Sequence, residues 1–550
     1  MTTPIPQNFV QTIAKQRAVT DAELETVFMA LDGQSTATIA TKLGISDIAV
    51  RKRLGEVYKK FQIGGNGPGK LSELRHQLLF SYHAEQGTSD FSGGKSSLLK
   101  MAIAGRQEDW GQAPDVTVFY GRTEELTTLK QFIVSDNCRL VALLGSPGSG
   151  KTTLSVHLAK QVQNEFDFVI WRSLRSTPAP SDFLTDLIQL FSNQQKPDLP
   201  LAEPSKRIDL NGKISCLVEY LRKQRCLLIL DDFEALLKPE ELAGNYREGC
   251  EGYRDLIVRL CEVNHNSCLV LVSSEEPTEL TLLAGEKVRS LKPAISAEIV
   301  REIFQEKGLS VQDKELEILL ARYGGNLLAL KIVATTIHEF FDGNVLKFLE
   351  ATALFIEEHI SNLLAQQFDR MSTSEQEIAY WLAIAQSPIS LATLREKMVV
   401  NSSLSDLLKN LDSLGRRSLI DKISEDTETV FMLGPLIVQY VSDRLVDRIR
   451  VEILETIKTQ GIQRMQLLKT HNLKLSIAAE GKQSKEDRSS SILELVKNRL
   501  QVLFMKTTGF EEPLKILTKV ASDLEHKSTL EVGYARENLA QIIAELQFGS

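Results

Sequence analysis

The ten residues GSPGSGKTTL, at 145–154, narrow the possible folds more than any other stretch of this chain. Gly145, Gly150, Lys151 and Thr152 fit the spacing GxxxxGK[ST]. Such a loop holds phosphate only where a buried strand runs into it and a helix leaves it, because its backbone N–H groups and the helix N-terminus act together. Both flanks are present: RLVALL precedes the loop, and TTLSVHLAKQVQ follows it with helical spacing. The neighbouring sequence agrees. From about 119 to 293, the apolar runs RLVALLG, FDFVIWRSL, CLLILDDF, CLVLVSSE and VRSL alternate with helix-periodic stretches such as YRDLIVRLCEV. Buried strands alternating with helices imply a parallel sheet in an α/β domain.

Within that loop Gly145, Ser146, Gly148, Ser149, Gly150, Lys151, Thr152 and Thr153 are candidates to surround the phosphates of ATP or ADP. Lys151 is placed to reach the β/γ-phosphates, and Thr152 to bind magnesium. The second half of the site is LLILDDF, 227–233, a buried strand ending in acids. Asp231 is the magnesium candidate, and Asp232 the candidate to orient or deprotonate water. A third stretch, VFYGRTEEL at 118–126, lies about 25 residues before the loop; on its own chemistry Arg122 reads as a charge at a helix start and Thr123 as a cap.

The remainder of the chain is helical. After about 294 strands nearly vanish, except LIDKISEDTETVFML at 419–433, which reads as two strands around a polar turn. Residues 63–112, with IGGNGPGK and HAEQGTSDFSGGKSS, loosen into a linker in which LSELRHQLLFSY is a candidate helix, and EGKQSKEDRSSS from 480 reads as an exposed loop. The expected order is 1–79 helical, 80–112 linker, 113–293 nucleotide-binding sheet, 294–365 helical, 366–445 a second small domain, and 446–550 a C-terminal helical arm.

Bulk composition excludes several classes. A net charge of −8 over 550 residues gives no global attraction to polyanions, so any nucleic-acid contact needs a local basic patch. The six cysteines lie between Cys138 and Cys268 without CxxC spacing, which fits reduced, buried thiols rather than disulfides or a metal site. No apolar run has the ~20 residues a membrane span needs, and MTTPIPQNFVQ is not a signal peptide. The expectation is a cytoplasmic protein with no membrane partner.

The second informative stretch is TATIATKLGISDIAVRKRL, with small Ala40, a turn glycine at Gly44 and apolar Ile45, Val50 and Leu54. That is helix-turn-helix spacing. It resembles the LuxR/GerE-type DNA-binding domain, whose second helix would run from about 46 to 60 and carry Arg51, Lys52, Arg53, Lys59 and Lys60. Trihelical folds of this kind also serve as protein adaptors, so residues 1–79 are expected to engage DNA or a protein partner.

Together, the phosphate loop, the strand-end acids and FYGRTEE resemble the signal-transduction ATPases called STAND, of the NB-ARC type, over roughly 113–445. The resemblance implies a P-loop NTPase sheet, a helical ARC domain that contains GGNLLALK (324–331), and a winged-helix domain over 366–445. It also implies that Phe119, Tyr120, Gly121 and Arg122 pack over adenine and ribose, with Leu327 standing at the family's proline. WGQAPDVTVFYGR and LEVGYARENL are similar to cyanobacterial members, in which the latter segment leads into a WD-repeat propeller.

Three positions depart from the family. Glu275 stands where an arginine would sense the γ-phosphate, Leu327 replaces the proline, and Leu433-Gly434-Pro435 replaces a Met-His-Asp motif. A carboxylate at 275 is expected to repel a triphosphate, and Arg172 and Arg175 are the candidate substitutes. The resemblance therefore implies a nucleotide switch with slow hydrolysis, closed with ADP and self-associating with ATP. The alternatives are a working ATPase of the AAA+ type and a nucleotide-holding scaffold.

Overall fold

The computed structural model describes residues 19–31, 36–61, 107–192, 209–474 and 491–547, apart from short breaks at 117, 353, 399–402, 426–427 and 507–508, plus a few residues between 10 and 17 and residue 74. The candidate helix at 71–82 and the loop from 480 fall outside the described residues, save Leu74 and Ser491. The chain divides into two compact units, 1–104 and 105–550.

In the first unit, α1 (Asp21–Leu31), α2 (Thr36–Leu43) and α3 (Asp47–Lys60) enclose a core that contains Val27, Ile39, Val50, Leu54 and Val57. Gly44 turns the chain between α2 and α3 with φ +65°, and Ser46 caps α3 by accepting the Ala49 N–H at 3.2 Å. Lys60 Nζ pairs with Glu23 at 2.6 Å and ties the end of α3 to α1.

The second unit begins with a six-stranded parallel sheet. Its strands are β1 (Gln107–Asp109), β2 (Leu140–Leu144), β3 (Phe168–Ser173), β4 (Cys226–Asp231), β5 (Cys268–Ser273) and β6 (Val288–Leu291), in the order β1-β3-β4-β5-β2-β6. The five apolar runs read from sequence are β2 to β6. β1 lies in the stretch read as linker; it adds to the edge of β3, with Gln107 opposite Phe168. Side chains alternate across the sheet, as strand geometry requires. Leu140, Ala142, Ile170, Leu228 and Leu271 face one core, covered by the helices Pro180–Phe191, Leu210–Lys223 and Gly252–Glu262. Val141, Leu143, Trp171, Ile229 and Val270 face the other, covered by α4 (Thr123–Lys130) and α5 (Lys151–Val162).

A helical layer follows, with its own core built around Phe304, Leu319, Leu330 and Phe348; it includes α6 (Leu327–Phe340) and α7 (Glu358–Asp369). Next come α8 (Thr373–Ala385), β7 (Ile389–Ser390), the helix Leu391–Lys397 and α9 (Leu404–Arg416). The hairpin β8 (Ile420–Glu425) and β9 (Glu428–Leu433) then leads into α10 (Pro435–Thr459). β7 joins the hairpin as a third strand. The expected boundary at 445/446 falls inside α10. Phe368, Leu382 and Leu445 share one core with Leu500 and Ile542, so residues after 446 pack with those before it rather than projecting as an arm. All six cysteines are buried free thiols, and among the described residues no helix is long and apolar enough to cross a membrane.

Candidate functional site

The loop between β2 and α5 is held by its carbonyl oxygens. Lys151 Nζ donates to Gly145 O at 2.8 Å and to Ser146 O at 3.1 Å. Arg122 donates through Nη2 to Ser149 O and through Nη1 to Gly150 O at 3.3 Å. Asn326 Nδ2 donates to Pro147 O at 3.1 Å, and the Leu328 N–H to Gly148 O at 3.0 Å. Gly148 and Gly150 both adopt φ +81°, and a Cβ on Gly148 would lie 2.5 Å from Asn326 Oδ1. The first N–H groups of α5 have no partner within the helix, an arrangement that receives an anion.

The charges point the same way. Arg122 and Lys151 are buried and Lys331 is half-buried; burial holds each cation below its ordinary pKa. None of the three makes an ion pair among the described residues, although Lys331 Nζ sits 4.6 Å over the Tyr120 ring. Arg122 Nε and Ser149 Oγ are buried without a hydrogen-bond partner. Acids stand near them, Asp231, Asp232 and Glu234 for Lys151 and Glu125 for Arg122, but no carboxylate pairs directly with either buried cation among the described residues, which leaves their donors open to an anion.

Opposite these cations, β4 ends at Asp231, whose Oδ1 accepts from Thr152 Oγ1 at 3.1 Å. Burial, and then the charge of Asp232, raises the Asp231 carboxyl to about 7. Asp232, at φ 56°, accepts from Ser173 Oγ at 2.9 Å and pairs with Arg175 at 3.2 Å. Glu234 accepts from Ser273 Oγ at 3.2 Å and from the Ser274 N–H at 3.1 Å.

These groups share a cleft of about 900 Å³ lined by Gly148, Gly150, Lys151, Thr152, Thr153, Asp231, Asp232 and Leu327, together with Arg175, Glu234, Arg247, Lys331 and Arg370. The size suits a nucleotide. The site also fits magnesium. Thr152 and Asp231 offer a hydroxyl and a carboxylate side by side, and no cluster of three or more His, Cys, Asp or Glu side chains occurs among the described residues, so phosphate and water oxygens would complete the ion's shell. Gly145, Ser146 and Ser149 line a smaller cavity of about 240 Å³ together with Gly434 and Pro435.

Several sequence readings change. Glu275 does not face the cleft: it is 2% exposed, and its carboxylate accepts from the Gly244 N–H at 2.9 Å and pairs with Arg370 at 2.8 Å and Arg417 at 2.7 Å. Its charge is spent on those partners, so the expected repulsion of a triphosphate does not apply. Arg172 pairs with Asp109 at 2.6 Å at the sheet edge, and of the two candidate substitutes only Arg175 lines the cleft. Phe119 stacks on His157 at 4.1 Å, Tyr120 packs in the helical layer, and Gly121 lies against Ile299; Arg122 alone of the four bonds to the loop.

Sequence reasoning missed Glu234, Asn326, Lys331 and Arg370. Of these Asn326 carried a signal, an Asn at a helix N-cap beside two glycines. Among the basic residues of α3, Lys59 pairs with Glu56 at 2.8 Å, Lys60 pairs with Glu23, and Arg53 donates to Ala22 O at 3.4 Å, while Arg51 and Lys52 are exposed.

Comparison with known proteins places these observations. Residues 122–242 match the NB-ARC domain family. The chain is 38% identical over 506 residues to an uncharacterized WD repeat-containing protein of Nostoc sp. (strain PCC 7120), covering 83% of this chain and 39% of that protein; it thus spans about two fifths of that relative. It is 30% identical over 95 residues to the disease resistance protein RPM1 of Arabidopsis thaliana, covering 17% of this chain and 10% of that protein. Among solved structures, the Walker-type ATPase of Pyrococcus abyssi matches with a TM-score of 0.39 at 18% identity, over 59% of this chain and 96% of that one. The STAND protein with a tetratricopeptide repeat sensor from Pyrococcus horikoshii matches with 0.30 at 16% identity, over 80% and 60%. The phosphate loop, β2, β3 and the acid-ended β4 accordingly lie in a segment similar to the NB-ARC domain, a nucleotide-binding domain of P-loop type, while β1, β5 and β6 of the same sheet fall outside the matched residues.

Proposed function

We propose that this chain is a nucleotide-dependent signalling switch that binds ATP or ADP with magnesium and hydrolyses ATP slowly. The observation that carries the reading is the group of cations without direct ion pairs, buried Arg122 and Lys151 with half-buried Lys331, around a phosphate loop whose Thr152 already meets Asp231. Lys151 and the N-terminus of α5 would hold the phosphates, and Thr152 and Asp231 the magnesium, which screens phosphate charge when bound. Asp232 would orient water; its bonds to Ser173 and Arg175 fix its direction. An arginine that acts directly on the transferring phosphoryl contributes ~10³–10⁵ in rate. Arg175 is largely exposed and bonded to Asp232, which favours slow turnover.

The differential contact of a third phosphate would shift a closed population toward an open, self-associating one. The element order α8, β7, two helices and the β8–β9 hairpin supports a winged helix as the closing domain. The turn at Gly44 between α2 and α3 supports a helix-turn-helix output domain. Lys60 is tied to Glu23, while Arg51, Lys52 and Lys59 are exposed, so this domain would engage DNA or a protein partner.

Isothermal titration with Mg·ADP and Mg·ATPγS tests the nucleotide reading. Wild type should bind both, and Lys151→Ala should weaken both by at least about 100-fold, in line with loss of a buried charge partner. Equal binding by the variant, or ATP turnover of tens per second without a partner, overturns it.

A further inference from the structure

A buried four-charge cluster joins the sheet to the helices that follow it, and its members come from three separate stretches. Glu275 follows β5, Arg370 ends α7, Glu375 opens α8, and Arg417 ends α9. Arg417 donates from Nη1 to Glu275 at 2.7 Å and from Nε to Glu375 at 3.1 Å. Arg370 donates to Glu275 at 2.8 Å and to the carbonyls of Glu234 and Leu237 at 3.0 and 3.3 Å. Two acids and two arginines balance, which is the condition for holding charges out of water.

The four are not equivalent. The side chains of Glu275, Glu375 and Arg417 are at most 2% exposed, whereas that of Arg370 is 16% exposed and lines the same cleft as Lys151, Thr152 and Asp231. Arg370 makes these bonds through Nε and Nη2; Nη1 takes no part in them. If Arg370 leaves, Glu275 keeps Arg417 and the Gly244 N–H, and Glu375 keeps Arg417, Ser413 Oγ and the Ser372 N–H. The remaining cluster is still hydrogen-bonded, although it then carries one excess negative charge that opposes release, so Arg370 is the member that can exchange partners while every other keeps a hydrogen-bond partner.

We propose that Arg370 reports the charge of the bound nucleotide, exchanging Glu275 for the terminal phosphate of a nucleoside triphosphate and so loosening the α7–α8 corner from the end of β5. The inference rests on the nucleotide reading above. Glu275 thereby sets the threshold: it competes with the phosphate for one guanidinium. The corner is fastened besides by the Glu240 N–H to Arg370 O at 2.8 Å and by Gln367 Nε2 to Ser274 Oγ at 3.3 Å, bonds that must yield when it moves.

The test is the ratio of Kd for Mg·ADP to Kd for Mg·ATPγS in the full chain, with hydrogen exchange followed at 237–246 and 413–417. Glu275→Gln weakens the competitor and should raise the ratio about tenfold, within the usual range of coupling between sites. Arg370→Gln should lower it by a similar factor and abolish the extra exchange that Mg·ATPγS induces, while Mg·ADP still binds; Arg370→Lys should restore part of the ratio. Should Arg370→Gln fail to fold by thermal melt, Glu275→Gln and Arg370→Lys decide. Variants that bind both nucleotides with the wild-type ratio overturn the proposal. Wild type that binds neither nucleotide, or Lys151→Ala that binds as wild type, overturns the nucleotide reading and this proposal with it.

Discussion

Asp231 makes magnesium binding pH-dependent in a way that can be worked from its surroundings. Burial and the neighbouring Asp232 raise its carboxyl to about 7. Magnesium needs the ionised form. Below that pH a proton competes with the ion; above it no proton is in the way, so affinity falls on acidification and is flat on the alkaline side. At pH 6 about one tenth of Asp231 is ionised, so the magnesium-dependent part of nucleotide affinity should fall about tenfold, about 1.4 kcal/mol, and about 100-fold at pH 5. The assay is calorimetric titration with ADP, in magnesium and in EDTA, from pH 5.5 to 8.5. The nucleotide's own phosphate titrates in this range too, so Asp231→Asn, which cannot ionise, supplies the baseline. The difference between wild type and Asp231→Asn should bend near pH 7. If the two profiles run parallel across that range, the Thr152–Asp231 pair is not the magnesium site.

Three other perturbations follow from the packing. Gly148→Ala adds a Cβ 2.5 Å from Asn326 Oδ1 at φ +81° and should abolish nucleotide binding, whereas Gly249→Ala, at φ +83° with nothing within 4 Å, should cost about 1–2 kcal/mol of backbone strain and leave binding intact; calorimetry and urea melts compare them. Trp171 is fully buried and its Nε1 has no partner, so Trp171→Phe should cost about 1 kcal/mol and Trp171→Ala about 3–5, read as the order of urea midpoints. His471, buried against Trp381, has its imidazole pushed down to about 4. Because that lies below its unfolded value, its contribution is full above about pH 6.5 and is lost as pH falls toward 4, about 3 kcal/mol in all; NMR should find it neutral at pH 5.5.

The parts of the site legible in sequence are those whose residues are contiguous. The loop from Gly145 to Thr152 and the acid pair ending β4 each carry their chemistry within a few positions, and the apolar runs around them set the sheet. Glu275 was misread for the opposite reason. Its meaning lies in Arg370 and Arg417, 95 and 142 residues away, and no local spacing records such a pairing. The same holds for Asn326, whose partner carbonyl on Pro147 is 179 residues distant. α10 hid the end of one layer because a 25-residue helix runs through it with a single amphipathic pattern.

β1 bears on how the protein can be cut. Three residues, Gln107–Asp109, occupy the outer edge of β3, fastened there by the Asp109–Arg172 pair. A fragment begun at 113, the expected start of the nucleotide-binding part, would strip that cover and leave the backbone of Phe168, Val169 and Ile170 as an open pairing template, the kind of edge that recruits other chains. Fragments of the nucleotide-binding part should therefore begin at or before 105; shorter ones invite aggregation that would be mistaken for the assembly a switch is meant to control.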